Sequence, residues 1–393
     1  MILFKNANVY APMSLGRKDI LLEGTKVCKI SDTIDIDCKT LGIEIVDLTG
    51  KFLVPGFIDQ HVHVIGAGGE GGYPTRTPEM QISNIVKYGI TSIVCLRGTD
   101  GTARNLEALY AKATALEKEG ITTYMLTGSF EVPVDTITGS VRRDVALIDK
   151  VIGVKTAISD RRSSQPTRAE VERLAAEAYT GGLVGGKRGY THIHMGTGAR
   201  RLNMVFDIIR ETELPPYLFI PTHVNRDLAL FDHAMELAKL GAYIDLTAGI
   251  EPGNGFPEAL KTSKAIKKCI DNGVPLDQLT ISSDSNGSMT VYDAQGNIER
   301  VVATTVDALY LELKDMIEIE GIPLETALKP LTENVAKAIG VYPQKGTIAE
   351  GADADLVILS DRLEIDRVYA KGKQVADKNG ATIYGLFEHS ANL

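Results

Sequence analysis

Between Pro55-Gly56 and about residue 340, short apolar runs rich in β-branched residues alternate with longer stretches of helical period, and the alternation repeats eight times. The runs begin near Gly56-Phe-Ile-Asp-Gln-His-Val-His63, Thr91–Leu96, Thr122–Leu126, Ile152–Lys155, Thr191–His194, Leu218–His223, Tyr243–Leu246 and Leu279–Asp284. Amphipathic segments such as Asn105–Lys118, Arg168–Tyr179, Arg201–Glu211 and Phe231–Leu240 separate them. Eight strand–helix units in roughly 230 residues have the size and rhythm of a (β/α)8 TIM barrel, an α/β fold. A doubly wound open sheet is the competing architecture, but it carries a glycine fingerprint after its first strand. Here the first strand ends in histidines.

The chain ends follow a different period. Ile2–Tyr10, Asp19–Leu22 and Lys26–Ile30 alternate as strands do, with Gly24 in a hairpin, and the alternation returns in Gly346–Leu359, Ile365–Ala370 and Lys373–Ala376. Neither end has enough apolar surface to stand alone. The two are therefore expected to pair into one small β-sandwich domain, 1–55 with 341–393, beside a barrel spanning 56–340.

Charge and cysteine usage narrow the function classes. With 42 Lys and Arg against 51 Asp and Glu, and no long basic run, the chain is not built as a nucleic-acid binder. Four scattered cysteines, Cys28, Cys38, Cys95 and Cys269, form no CxxC pair and read as reduced thiols. The N-terminal apolar run is too short for a signal peptide, and no stretch reaches the roughly 20 apolar residues of a membrane span. The expectation is a cytoplasmic protein without a membrane partner.

His61-Val-His63 closes the first barrel strand, and residues two apart on a strand face the same side. Such a pair can bind one cation, or it can simply satisfy backbone carbonyls. The other strands supply the context. Lys155 ends the fourth, His194 the fifth, His223 the sixth and Asp284 the eighth, so six metal-competent side chains gather at the strand ends where barrel active sites are built. Imidazole and carboxylate donors suit Zn²⁺, with Mn²⁺, Co²⁺ or Ni²⁺ as alternatives. An inward Lys155 beside divalent cations should lose its proton. It is either half of a buried ion pair, with Asp160 or Asp284, or a neutral amine that captures CO₂ as a carbamate bridging two metals.

These residues resemble the binuclear centre of the amidohydrolase superfamily, and within it the isoaspartyl (β-aspartyl) dipeptidase family. The likeness runs essentially end to end. Its most specific segments are Gly66–Glu70, Arg76–Glu79, Leu126–Gly128, Thr136–Ser140 and Val151–Lys155, extended by Ile158–Arg162, Pro221–Arg226 and Ser282–Ser288. The resemblance implies that His61 and His63 hold one Zn²⁺, His194 and His223 the other, N6-carboxylated Lys155 bridges them, and Asp284 binds the first metal. It further implies Glu70 for the substrate α-amine, Arg162 and Arg226 for its carboxylates, and Thr99 and Ser288 as pocket contacts. One ammonium and two carboxylates are what an isoaspartyl dipeptide presents, and arginine suits bidentate carboxylate pairing. The implied reaction is hydrolysis of β-aspartyl dipeptides by a metal-bridging hydroxide, with Asp284 as general base and then acid, clearing isoaspartyl products of protein breakdown. The resemblance also implies a homo-oligomer, up to an octamer.

One position departs from the family: Phe130 stands where the family has a tyrosine that polarises the scissile carbonyl. Losing one oxyanion donor typically costs about 10²–10³ in rate, which implies a low-activity form unless another group covers the role. A cyclic amidase of hydantoinase or dihydroorotase type is the rival activity, sharing the metal centre without needing Glu70, Arg162 and Arg226. A non-catalytic scaffold on the same fold would have lost ligands, and here all six positions are filled. Gly181–Arg188 nearly spells a phosphate-binding loop but lacks the Ser/Thr and precedes a strand, so it reads as a helix-ending turn. His192 shares a face with His194 but lies deeper, as a core residue. His233 on a helix and His389 near the C-terminus read as structural or solvated, and the Asp353-Ala-Asp355 pair, which has metal-like spacing, reads as a turn in the small β-domain.

Overall fold

The computed structural model describes residues 1–254, 256–292, 295 and 297–388, with only the backbone considered at Asn254, Thr290 and Tyr292. His389 lies outside the described residues. Eight parallel strands, Phe57–Val62, Ile90–Cys95, Thr122–Gly128, Val151–Ile158, Tyr190–Met195, Phe219–Thr222, Ile244–Thr247 and Leu279–Ser282, pair in sequence order. The seam between first and last is closed by a Val62–Ser285 bridge, in which the His63 N–H donates to Ser285 O at 3.0 Å. This is the expected (β/α)8 barrel.

Helices cover the outside and one plugs the bottom. Ile58, Val94, Leu126, Ile152, Tyr190 and Ile220 point into the barrel floor, where they meet Val335, Ala336 and Ile339 of the helix Glu333–Ile339. The open end for chemistry is therefore the opposite, C-terminal face. The helix Arg168–Gly185 shows how local sequence sets the elements. Thr167 and Glu170 form a reciprocal capping box at its start, and Gly186, at φ 67° in the left-handed region, ends it. The glycine run from Gly181 is thus the last turns of a helix and its cap, as its residues suggested.

Both chain ends form one nine-stranded sheet. Ile2–Tyr10 lies at its centre, pairing with Ser14–Glu23, Glu44–Asp47 and Phe52–Pro55, and Phe52–Pro55 pairs with Leu356–Leu359 from the other end. Of the long stretch Gly346–Leu359, only these last four residues are strand. Phe4 and Tyr369 sit three strand spacings apart, about 14 Å in a flat sheet. Their rings nonetheless meet with centroids 5.1 Å apart, so the sheet curls over a core of its own. Lys345 fastens this sheet to the barrel, donating to Thr122 Oγ1 at 2.7 Å and to Asp355 Oδ2 at 2.5 Å. Asp353 and Asp355, read as a turn, both pair with Lys345 here, Asp353 Oδ2 at 2.8 Å. A second hairpin, Ser288–Tyr292 with Ile298–Ala303, follows the eighth strand and was not anticipated.

Among the described residues no helix is long and apolar enough to cross a membrane. Because Phe4 is fully buried against a strand from the opposite chain end, Phe4→Ala should lower unfolding stability by about 3–5 kcal/mol. Denaturant titration followed by circular dichroism measures it.

Candidate metal centre and substrate pocket

The barrel delivers five histidines, one lysine and one aspartate to a single buried region. His61 lies in the first strand and His63 just past its end, while His194 lies in the fifth. Gln60 and His61, adjacent in sequence, both reach interior partners across a break in strand register. A bulge of that kind re-aims a side chain next to a site. His223 and Asp284 follow the sixth and eighth strands and adopt left-handed backbones, φ 64° and 52°. Non-glycine residues there cost on the order of 1–3 kcal/mol, a strain that turns both side chains toward the axis. Lys155 does not end the fourth strand as expected, because that strand continues to Ile158.

All six expected ligand residues are buried, Asp284 being the most exposed at 8%. Asp284 Oδ1 is 3.0 Å from His63 Nε2 and 3.3 Å from His61 Nε2. Lys155 Nζ is 3.4 Å from His61 Nε2. The His194 and His223 rings stand 4.6 Å apart, and His223 is 5.0 Å from His61. The donor atoms of His61, His63 and Asp284 all lie within 4.8 Å of one another.

Burial controls protonation. It holds His61 and His223 well below the usual imidazole value and takes His194 to about 3 despite the opposing pull of Asp160. The same burial brings Lys155 to about 7, against the raising influence of Asp284 and Asp245. Burial pushes Asp284 upward, but the His63 hydrogen bond and the nearby basic groups, Lys155 among them, outweigh it and hold the carboxyl below its ordinary value. Of the two ion-pair partners considered for Lys155, neither is realised. No carboxylate lies within ion-pair distance of its Nζ among the described residues, and Asp160 is instead committed to Arg162 at 2.9 Å and His194 at 2.8 Å.

This donor set fits divalent cations. With their proton affinity lowered by burial, His61, His194 and His223 each keep a lone pair, as a metal requires. His223 Nδ1 is 2.7 Å from Thr247 Oγ1, which leaves its Nε2 for a cation, and His194 Nε2 faces Asp160, which leaves its Nδ1. His63 Nδ1 has no partner among the described residues. Nitrogen and carboxylate donors in this mixture suit borderline cations.

The expected substrate residues ring the same cavity. Glu70 accepts from Thr99 Oγ1 at 3.0 Å, Ser288 Oγ at 3.0 Å and Arg162 Nη1 at 3.1 Å. Thr99 and Ser288 thus hold Glu70, and Glu70 and Arg162 pair with each other. Arg226 differs: burial lowers it to about 10, and among the described residues no carboxylate pairs with it and its Nε has no partner. A desolvated guanidinium of this kind attracts an anion. Phe130 packs its ring 4.3 Å from His194, with Arg162 Cζ 5.4 Å from the ring centroid. The inner cavity is only 30 Å³ and opens past Arg162, Arg226 and Ser288 into a chamber of 840 Å³.

Several supporting residues escaped sequence reasoning. Asp160 orients both His194 and Arg162. Arg97, fully buried, donates to Gly128 O at 3.3 Å, Gly101 O at 3.2 Å and Arg104 O at 2.8 Å, tying the loop that carries Thr99 to the one that carries Phe130. The available signal was an arginine closing an apolar run, Val94-Cys-Leu-Arg97.

A family model for the amidohydrolase family matches residues 52–375. The chain belongs to the amidohydrolase family and is a hydrolase acting on amide or peptide bonds. Within it the chain falls among the β-aspartyl dipeptidases. It is similar to the β-aspartyl dipeptidase of Fervidobacterium islandicum AW-1, solved in complex with a β-Asp-Leu dipeptide, at 42% identity and a TM-score of 0.90, covering 97% of this chain and 98% of that one. L-hydantoinase of Paenarthrobacter aurescens is 23% identical over 93% of this chain and 86% of its own length. Dihydropyrimidinase from Brevibacillus agri, at 17% identity and a TM-score of 0.68 over 98% of this chain and 96% of that one, shares the fold. Membership of the family implies a divalent-metal centre, for which the histidines and Asp284 provide candidate ligands.

A Cβ at Gly287 would sit 2.6 Å from both Asp284 O and Asp284 Oδ1, so Gly287→Ala has to displace the carboxylate. Divalent-cation affinity, measured by chelator competition, should fall by about 10–100-fold.

Proposed function

We propose that the chain is a metal-dependent β-aspartyl dipeptidase. The observation that carries this reading is the charge pattern of the cavity beside Asp284: one acid, Glu70, with two arginines, Arg162 and Arg226, complementing the ammonium and two carboxylates of the substrate. Without substrate, Glu70 and Arg162 satisfy each other. An arriving dipeptide exchanges that internal pair for its own α-amine on Glu70 and a carboxylate on Arg162, while Arg226 takes the other carboxylate. The β-Asp-Leu complex of the Fervidobacterium relative supports the same substrate class.

Two divalent cations, Zn²⁺ by donor type, would be held by His61, His63 and Asp284 on one side and His194 and His223 on the other, with Lys155 between them as its carbamate. When bound, such a pair activates water at neutral pH and polarises the scissile carbonyl. Lys155, brought to about 7 by burial, has enough free amine at neutral pH to attack CO₂. The N–C bond forms, a C=O electron pair moves to oxygen, and the nitrogen proton leaves to solvent. Asp284 accepts the proton of the attacking water on a carboxylate oxygen and then hands it to the leaving amine nitrogen. Asp160, fixed by Arg162 and His194, keeps the His194 ring in place. Free cysteines at Cys28, Cys38, Cys95 and Cys269 suit a reducing compartment, and on that ground we place the protein in the cytoplasm.

With zinc and bicarbonate supplied, β-Asp-Leu should be hydrolysed with a kcat/KM at least about a hundredfold above α-Asp-Leu or a hydantoin, since the mismatched ligands leave buried charges unpaired. A preference for the hydantoin would assign the chain to the cyclic amidases instead, the activity named for its Paenarthrobacter relative.

Phe130 accounts for a reduced rate within this reading. Its ring lies against His194, where a phenol oxygen could reach a carbonyl held at the centre. Phe130→Tyr should raise kcat on β-Asp-Leu at least roughly tenfold. An unchanged kcat would show that the site does not lack a hydroxyl.

A further inference from the structure

His192 has no role in the hydrolysis as proposed, yet it is placed with care. It lies two residues before His194 on the fifth strand, fully buried, in register with Lys155 on the neighbouring strand. Its Nε2 is 3.1 Å from His61 Nδ1, with the two rings 5.0 Å apart and inclined at 70°. The other nitrogen of His61, Nε2, faces the centre, 3.3 Å from Asp284 Oδ1 and 3.4 Å from Lys155 Nζ.

A neutral imidazole has one proton for two nitrogens. If His61 gives a lone pair from Nε2 to a cation, its proton must sit on Nδ1 and, in a buried site, needs an acceptor. His192 Nε2 occupies that position. We propose that His192 is a positioning residue for the metal centre: it accepts the Nδ1–H of His61 and so fixes the tautomer and ring plane that present Nε2 to the cation. The inference rests on the reading of His61 as a ligand.

Two further observations favour it. In the reverse arrangement, with His192 donating, the His61 proton would lie on Nε2 and point at the centre, closing it to a cation. And His192 Nδ1 has no partner among the described residues whichever tautomer is present. A buried unpaired polar atom is a cost that an apolar residue of similar volume would avoid, so space-filling alone does not explain a histidine here. His223 shows the same arrangement with a different partner, its Nδ1 lying 2.7 Å from Thr247 Oγ1. The donor atoms of His61, His192 and Asp245 also lie within 4.8 Å of one another. A cation there would take the same His61 nitrogen. It would also compete with the hydroxyls of Thr222, Thr280 and Ser282 and the amide of Gln60, which already occupy Asp245.

The test uses the full-length protein and two variants, His192→Leu, which removes the acceptor, and His192→Gln, which restores one at similar reach. Zinc affinity by chelator competition should fall about 10–100-fold in the leucine variant and recover in the glutamine variant, with the melting temperature of the metal-free protein not lowered in parallel. Wild-type zinc affinity in His192→Leu would overturn the proposal. Nitrogen-15 NMR of the histidine rings in the wild type gives a readout free of folding effects: a proton on His61 Nδ1 supports the role, and a proton on Nε2 of the zinc-free and zinc-loaded protein refutes it. Failure of the wild type to take up zinc at all would refute the metal centre and this role together. Uptake without the predicted tautomer would refute the role alone.

Discussion

Desolvation is the constraint that the rest of this barrel answers to. Closing eight parallel strands buries their inward side chains, and here those side chains include His61, His63, Lys155, His192, His194 and His223. Burial lowers the proton affinity of His61, Lys155, His192, His194 and His223, leaving lone-pair donors crowded within a few ångströms. Below them the barrel carries the opposite problem. Asp59, brought by burial to about 7, and Asp245, to about 6, are surrounded by Ser283, Thr222, Thr280, Ser282 and Gln60, which supply the hydrogen bonds that water would have given. Those two carboxylates are thus satisfied internally. The layer above them gathers buried imidazoles and an amine with no comparable set of donors, an arrangement that suits cations.

The mouth of the cavity is satisfied differently, by charges that pair with each other until something replaces them. Glu70, Arg162, Asp160 and His194 form a continuous chain of contacts at 3.1, 2.9 and 2.8 Å. Such a chain keeps the inner cavity small and its charged groups ordered, so little rearrangement separates the resting arrangement from one that receives a zwitterion. Arg226 stands outside that chain, and its desolvated guanidinium supplies the attraction that the others have already spent. Ordering before binding and one unsatisfied charge together give both geometry and driving force.

How much of this could be read from the residues follows from which interactions are local. The barrel was legible because strand and helix periods repeat and because parallel strands buried on both faces must be apolar. His61, His63, His194, His223 and Asp284 were legible because strand ends converge on one face. Lys155 reaches the same region, but the ion pair with Asp160 that was one reading of it does not form, since Asp160 turns to Arg162 and His194 and no spacing rule reveals that. The left-handed backbones of His223 and Asp284, the register break at Gln60 and His61, and the clasp of Arg97 across two loops are consequences of closure. They depend on residues far apart in the chain, and a single sequence carries no mark of them. The hairpin Ser288–Tyr292 with Ile298–Ala303 was missed because it interrupts the strand–helix rhythm from which everything nearby was inferred.

The same separation explains why relatives with different substrates can share this frame. Hydantoinase-type and dihydropyrimidinase structures match the barrel at 15–17% identity, which reflects packing and closure rather than any shared substrate. The residues proposed to meet the substrate lie beyond the strands: Glu70 after the first, Thr99 after the second, Phe130 after the third, Arg162 after the fourth, Arg226 after the sixth and Ser288 after the eighth. Each sits in a connection that follows a barrel strand, where sequence can change without disturbing the strand itself. Phe130 fits this division. Its ring keeps the packing against His194 and Arg162 that a tyrosine would provide, while the hydroxyl is absent. A change confined to that position therefore leaves the donor layer and the charged mouth intact, and in the proposed reaction it alters only what would meet the carbonyl oxygen as charge develops on it.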